Sequence, residues 1–335
     1  MRGRPRVVLI GFGPTALSAL GSLLDHVDVV ALARTVDADD PVVRLAARHG
    51  VKVSQPRSPR DIAELIEHQR PDCAVISSYN RILEPAVLEL CPFLNVHFAP
   101  LPRLRGNAPV NWAILNGASE TAITIHEVAA GLDSGNIVFQ QAVPIGPRDD
   151  VTALFEKLNA IQAQALGPTV LRFLDGWRGS AQDHELATYG CARKPEDGLI
   201  DWHRPAAEID RLVRALTPPF PGAFTFFGGA RLVVHRAQPT EARRRFEGSI
   251  PGRVVSVARR EGWIDVLTGE GVLRVHELRR GTEAPEPASR IVTSSRARLG
   301  LQTTDLLERI EALERQLIRL QRERLHETEG TSIHG

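Results

Sequence analysis

Val7-Val8-Leu9-Ile10, followed by Gly11-Phe12-Gly13-Pro14-Thr15-Ala16, is a short β-branched run ending in a glycine turn, and from Ala16 to Leu24 the apolar residues recur at helical spacing. That is the opening of a βαβ unit. Working outward, Val27 to Leu32 predicts a second strand, Pro41 to His49 a helix, Val51 to Val53 a third strand and Arg60 to Gln69 another helix. Cys73 to Ser77 and Phe93 to His97 supply the fourth and fifth strands. Strands alternating with helices predict an α/β protein with a Rossmann-like, doubly wound, mostly parallel sheet, whose ligands sit beyond the carboxyl ends of the strands. His97 falls at such an end. Downstream, Val110 to Asn116 reads as a helix stopped by Gly117, Ala122 to Val128 and Ile137 to Val143 as strands, and Thr152 to Leu174 as a long amphipathic helix.

Between Trp177 and Pro205 the periodicity is lost and Gly, Pro and charge accumulate. A helix from Glu208 to Leu216 follows, then a Pro218-Pro219-Phe220-Pro221-Gly222 turn. Short strands are expected at Ala223 to Phe227, Arg231 to His235, Gly252 to Ala258, Trp263 to Leu267 and Gly271 to Leu278. Five short strands with turn signals predict a small OB-like β-barrel. Further on, Leu306, Ile310, Leu313, Leu317 and Leu320 alternate spacings of four and three between Glu and Arg, the seam of a coiled-coil-like amphipathic helix. Such a seam either lies on the chain's own barrel or zips to a second copy, giving a homodimer. The expected divisions are 1–185 for the catalytic domain, 186–205 for a linker, 206–300 for the barrel, 301–326 for the zipper helix and 327–335 for a disordered tail.

The 335 residues carry 41 basic and 40 acidic side chains, a formal charge of +1, which argues against a polyanion as the main partner while leaving room for a local patch. Cys73, Cys91 and Cys191 form no metal-ligand spacing and read as reduced thiols of a cytoplasmic protein, and no metal is expected. The basic start, Met1 to Arg6, runs into a strand instead of the apolar core of a signal peptide, and no apolar run reaches membrane-spanning length.

Asn95 and His97, two apart on a strand, point to one face, and Asp133 in Gly131-Leu132-Asp133-Ser134-Gly135 is placed to return from a later loop and orient the imidazole. This is an acyl-transfer set without a nucleophile: an amide to donate to an oxyanion, an imidazole to donate or take a proton, and a carboxylate to fix the tautomer. The plainer alternative makes Asn95 and His97 ordinary strand-end polar residues. The glycine turn approximates the G-x-G-x-x-G/A fingerprint of a nicotinamide-dependent oxidoreductase. Pro14 removes an N–H that should face the pyrophosphate, and Ala33-Arg34-Thr35 places no ribose-binding acid at the strand tip, so tight packing of the first turn explains the glycines as well.

The run His97-Phe98-Ala99-Pro100-Leu101-Pro102-Arg103-Leu104-Arg105-Gly106-Asn107-Ala108-Pro109-Val110-Asn111-Trp112 resembles the signature of the folate-dependent formyltransferases. Leu115-Asn116-Gly117, Thr121 to His126 and Gly131 to Ile137 resemble the same family in the same order. Ser78-Tyr79-Asn80-Arg81-Ile82-Leu83 is similar to its pterin-holding segment, and Asp201-Trp202-His203-Arg204-Pro205-Ala206 and Pro221-Gly222-Ala223 to the start of its C-terminal barrel. The resemblance covers residues 5 to 280 and leaves the zipper outside.

What the resemblance implies is an N-formyltransferase with N10-formyltetrahydrofolate as donor and a primary amine as acceptor. Asn95, His97 and Asp133 take the catalytic positions. Ser78, Tyr79, Asn80, Arg81, Ile82, Leu83, Val128 and Gly131 bind the donor, and Phe98, Pro100, Arg103, Arg105 and Asn111 the acceptor. The acceptor expected first is a nucleotide-linked 4-amino sugar, its phosphates met by Arg103, Arg105 or Arg148. Initiator methionyl-tRNA, served by Arg243-Arg244-Arg245, Arg253, Arg259 and Arg260, and an amino acid or hydroxyornithine are the alternatives. Two departures bear on the choice. Phe98-Ala99-Pro100 replaces the family's common Gly-Ser-Leu, and Arg34 to Pro41 is short and acidic where the methionyl-tRNA enzymes carry a long basic insertion. An acidic stretch there would repel phosphate.

Overall fold

The computed structural model describes residues 3–13, 15–35, 39–79, 81–241 and 246–331. Pro14, Asn80 and Arg243-Arg244-Arg245, each assigned a role from sequence, lie outside the described residues, as does 332–335 of the expected tail. The chain divides into two compact units, Met1–Pro195 and Glu196–Gly335.

In the first unit, β1 (Arg6–Gly11), β2 (Asp28–Ala33), β3 (Lys52–Ser54), β4 (Cys73–Ser77) and β5 (Phe93–His97) alternate with α1 (Ala16–His26), α2 (Pro41–Arg48), α3 (Pro59–Gln69) and the short α4 (Pro85–Leu88). There follow the two-residue β6 (Arg105–Gly106), α5 (Pro109–Leu115), β7 (Glu120–Glu127), β8 (Ile137–Pro144), the long α6 (Val151–Leu174) and a second two-residue strand, β9 (Tyr189–Gly190). The main sheet has seven strands in the order β3-β2-β1-β4-β5-β7-β8. The first five pair in parallel, and β5–β7 and β7–β8 pair antiparallel. β4, buried on both faces, shows why the parallel strands read as unbroken apolar runs.

Local chemistry sets the ends of the helices. Asp40 caps α2 by accepting from the Val42 N–H, and Ser58 and Asp61 form a reciprocal capping box on α3, each before a Pro in the first turn. The glycine turn is explained by close approach: a Cβ on Gly11 would lie 2.7 Å from that of Ala16, and one on Gly13 2.5 Å from that of Ser78. Above it, Arg34 donates to the carbonyls of Gly11 and Gly13 at 2.8 and 3.1 Å while paired with Asp40 at 2.5 Å. A guanidinium thus occupies the strand tip where a dinucleotide enzyme holds its ribose acid.

The second unit contains α7 (Ala206–Ala215), β10 (Ala223–Phe227), β11 (Ala230–Thr240), β12 (Val254–Ala258), β13 (Trp263–Leu267), β14 (Val272–Arg280), β15 (Glu286–Pro287), α8 (Ala288–Ile291) and α9 (Thr303–Thr331). Its antiparallel sheet runs β10-β11-β14-β13-β12, with β15 on β14. Among the described residues β10 and β12 are the ends of this path and do not pair, so the five expected strands are present as a sheet with two ends. Ile200 and Trp202 are buried in its core beside Ile209, Val213, Val254, Val266 and Leu273.

The segment read as a linker, 186–205, is therefore ordered. Tyr189–Gly190 pairs with Arg105–Gly106, and Trp202 donates to Thr225 Oγ1 at 2.9 Å. Two-residue strands and single buried aromatics carry no periodicity, and a segment built from them looks irregular in sequence. The α9 backbone also runs past 326, through Glu327 and Thr328, into the stretch expected to be disordered. No proline interrupts it, and extending a formed helix costs little.

Candidate active site

The floor of the site is set by strand register. Asn95 lies opposite His126 and His97 opposite Thr124 in the β5–β7 pair, so the four side chains share one face. The β7–β8 loop brings Asp133 back over that face. Its backbone is left-handed, φ 46°, an arrangement that costs a non-glycine residue on the order of 1 kcal/mol and needs support from its surroundings. That support is a set of hydrogen bonds. Asp133 Oδ2 accepts from the Gly106 N–H at 2.8 Å and Oδ1 from Asn95 Nδ2 at 3.3 Å. Gln182 Nε2 donates to the carbonyls of Asp133 and Gly135 at 2.8 and 2.7 Å. Arg105 Nε and Nη2, at 3.2 and 2.6 Å, hold the Gln182 Oε1 in turn.

The two imidazoles flank the carboxylate, His97 Nδ1 3.6 Å from Oδ2 and His126 Nε2 3.5 Å from Oδ1. His97 Nε2 donates to the Leu104 carbonyl at 2.8 Å, which places the neutral ring's lone pair on Nδ1, facing Asp133. His126 Nδ1 donates to the Glu127 carbonyl at 2.7 Å, which frees Nε2 to accept from Asn95 Nδ2 at 3.1 Å. The neutral site is an ionised carboxylate facing two imidazole lone pairs, with an amide N–H donor between them.

Titration follows from these contacts. Burial lowers the His97 pKa below its usual 6.5 and outweighs the upward pull of Asp133 and of the Leu104 bond, while His126 adds to the lowering. Burial pushes Asp133 up, but the contact with His126, the charge of His97 and the Gly106 N–H bring it down to about 2. The Gly106 and Asn95 donors act in every protonation state, and they keep the carboxylate ionised at neutral pH.

The structure thus brings Asn95, His97 and Asp133 together. Of the residues expected on the donor side, Leu83 is buried in an apolar cluster against which Tyr79 and Val128 pack, and the Tyr79 ring lies 5.2 Å from that of Phe12. Ser78 shares a hydroxyl hydrogen bond with Thr15 at 2.7 Å, Arg81 donates to the Arg57 carbonyl, Gly131 is exposed and Ile82 is 86% exposed.

The acceptor side differs more from expectation. Phe98 is buried, its ring 6.0 Å from that of Phe155 on α6, so Phe98-Ala99-Pro100 fills a packing slot. Asn111 is buried on α5 and Pro100 is half-buried. Arg105 is 3% exposed and holds Gln182, with Nη2 also 3.0 Å from His184 Nδ1, so it supports the Asp133 loop and does not face a phosphate. A guanidinium so enclosed needs hydrogen-bond acceptors inside the protein. Arg103 and Arg148 are exposed.

His126 and Gln182 are not among the residues singled out from sequence. His126 could have been found from the antiparallel register, which the alternating run Thr121 to His126 carries once β5 is its neighbour. Gln182 sits in an aperiodic stretch that offers no such signal. Among the described residues no group of His, Cys, Asp and Glu is placed to hold a metal ion, and no helix is long and apolar enough to cross a membrane.

Comparison with known proteins gives the family. Residues 25–170 match the formyl transferase family and residues 193–296 its C-terminal domain. The methionyl-tRNA formyltransferase of Trichlorobacter lovleyi is 34% identical over 304 residues, covering 85% of this chain and 92% of its own length. That of Geotalea uraniireducens is 35% identical over 288 residues, covering 82% and 90%. Among solved structures, HypX from Aquifex aeolicus in complex with tetrahydrofolic acid superposes with a TM-score of 0.61 at 18% identity, covering 88% of this chain and 48% of that one, a likeness of fold. A carboxylate, an imidazole and an amide gathered without a nucleophile, on a chain matched through both domains, place this protein among the 10-formyltetrahydrofolate-dependent formyltransferases.

Proposed function

We propose that this formyltransferase acts on the amino group of methionyl-tRNA. The observation that carries the proposal is the extent of the likeness: the methionyl-tRNA formyltransferases match at 34% and 35% identity over 85% and 82% of the chain, through both units. The nucleotide-linked amino sugar expected first from sequence becomes the second reading. Two supports for it weaken. Arg105, proposed there as a phosphate ligand, is enclosed with Gln182, and the carboxylates described before α2 are paired, Asp37 lying outside the described residues. Asp40 is paired with Arg34 and Asp39 with Arg44, so the two described carboxylates are compensated. Arg259, Arg260 and Arg280 of the second unit are exposed and available to a phosphate backbone. The proposed location is cytoplasmic, in keeping with three cysteines that form no disulfide.

The residues present suit a folate donor. Ile82, 86% exposed, and Leu132, 51% exposed, offer apolar surface to a flat heteroaromatic ring, and Ser78 to Leu83 with Val128 and Gly131 are its proposed holders. When bound, the donor supplies a formyl carbon whose oxygen gains negative charge as an amine attacks. Asn95 meets that charge: its two N–H groups rest on Asp133 Oδ1 and His126 Nε2 at 3.3 and 3.1 Å, contacts long enough to exchange for a charged oxygen at little cost. His97 Nδ1 and Asp133 Oδ2 face each other 3.6 Å apart as two acceptors. A proton delivered to Nδ1 turns that opposition into an N–H donating to a carboxylate, so the pair takes the proton the attacking amine must lose and would return it to the donor's N10 as the bond from N10 to the formyl carbon breaks. In this arrangement His97 serves as base and Asn95 as the oxyanion donor, since His97 Nε2–H is held by Leu104.

Initial rates with methionyl-tRNA, free methionine and a set of nucleotide-linked 4-amino sugars, each at saturating N10-formyltetrahydrofolate, test the proposal. The expected result is formylation of methionyl-tRNA with kcat/KM at least about 100-fold above the other acceptors. Faster turnover of an amino sugar, with methionyl-tRNA inert, overturns it in favour of the second reading.

A further inference from the structure

In the second unit α9 carries Leu306, Ile310, Leu313, Leu317 and Leu320 at 44%, 51%, 51%, 57% and 54% exposure. These are the seam positions, and they are evenly open to solvent, whereas Leu299 just before the helix is 1% exposed in the core. The alternative that the seam lies against the chain's own sheet is not what the structure contains. A helix this charged, with one narrow apolar stripe, gains little stability alone and much by pairing that stripe.

We propose that α9 pairs with α9 of a second copy as a parallel, two-stranded coiled coil. Three features select this occupant and direction. The 4-3-4-3 spacing assigns Leu306, Leu313 and Leu320 to d positions and Ile310 and Leu317 to a positions, and Leu at these d positions with the β-branched Ile310 at one of the two a positions favours two parallel strands. The same assignment puts Arg309 at g and Glu314 at the following e, both exposed. Parallel alignment therefore sets Arg309 of each copy beside Glu314 of the other, an opposite-charge contact made twice by symmetry. Antiparallel alignment of the same layers sets Glu314 beside Leu307 and Arg309 beside Gln316, and both charges lose a partner. Within one helix Glu311 and Arg315 lie 3.5 Å apart, outside the seam, so they do not compete for these contacts.

The proposal concerns association alone and stands or falls independently of the acceptor. Sedimentation equilibrium of the full chain, with concentration raised to about 100 µM, reads it directly. The expected result is a concentration-dependent monomer–dimer equilibrium, a dissociation constant raised roughly 100-fold or more by Leu313→Asp, and unchanged formyl transfer in that variant. Arg309→Glu should raise the constant roughly 3- to 10-fold, and Arg309→Glu with Glu314→Arg should restore it. In a Cys191→Ser background, Ile310→Cys should oxidise to a cross-linked dimer, because only the parallel arrangement places position 310 against itself. A monomer at every concentration, or a dimer indifferent to Leu313→Asp, overturns the proposal. A dimer that cross-links only between Ile310→Cys and Leu313→Cys chains overturns its direction.

Discussion

The site has two halves that are held in different ways. Asn95, His97 and His126 sit on β5 and β7, where the sheet's hydrogen bonds fix the backbone and neighbouring side chains share a face without further help. Asp133 sits on a loop, at φ 46°, and is kept in place by Gly106, Asn95 and a Gln182 that is itself gripped by Arg105. A strand offers position at no added cost. A loop must draw on polar groups from distant parts of the chain, and those groups become as necessary as the residue they hold.

Removing the carboxylate from the loop half has the largest consequence. Asp133→Asn keeps the volume but ends the proton-accepting pair with His97, and kcat should fall about 10³-fold or more with the far-UV circular dichroism unchanged. Next comes the strand half. Asn95→Ala removes the amide donor, and single-turnover rates should fall roughly 10²- to 10³-fold with little change in donor affinity. Wild-type rates in either variant would remove the corresponding role.

Gln182 holds the loop half and touches no reacting atom. Gln182→Met takes the donor from the carbonyls of Asp133 and Gly135 and the Oε1 acceptor from Arg105, which keeps its contact with His184, so the Asp133 loop should loosen. As a positioning residue it should lower kcat about 10- to 100-fold while KM for the donor stays within a few-fold. Gln182→Glu keeps the acceptor for Arg105 but loses the donors to both carbonyls, and it should recover little. If Gln182→Met instead left kcat intact and only lowered the melting temperature, its role would be structural.

The same division decides what could be read from the sequence. Period-two spacing put Asn95 and His97 on one face, and a glycine-flanked loop motif pointed to Asp133. His126 required knowing that β7 lies antiparallel beside β5, a pairing between residues about thirty apart. Arg105 was visible as a charge and was given to a phosphate, because a sequence does not show that Gln182 waits seventy-seven residues on to enclose it. The βα alternation from Val7 to His97 was legible because each strand is a buried apolar run. The pairing of Arg105–Gly106 with Tyr189–Gly190 was not, because backbone hydrogen bonds between two-residue strands leave no pattern in side chains.

The smallest expected effect is on stability against pH, and it too separates the halves. Asp133 has its pKa lowered from 3.8 to about 2, so its contribution is fully present above about pH 4 and is lost as pH falls toward 2, an effect of about 2 kcal/mol. His97 has its pKa lowered below 6.5 by burial, so between that value and its folded one the unfolded chain takes up a proton that the folded chain refuses. Stability should therefore begin to fall as pH drops through 6.5, before the carboxylate window is reached. Urea unfolding followed from pH 8 to pH 3 should show both slopes. Asp133→Asn should flatten the lower one, and His97→Gln the upper, whatever either does to stability at neutral pH. The two slopes are coupled in one direction: Asp133 raises the folded His97 pKa, so removing its charge should extend the upper window to lower pH while its start at 6.5 stays fixed. An upper window no longer in Asp133→Asn than in the wild type would mean that the 3.6 Å contact between the two groups carries no charge interaction, and with it would go the proton-accepting pair.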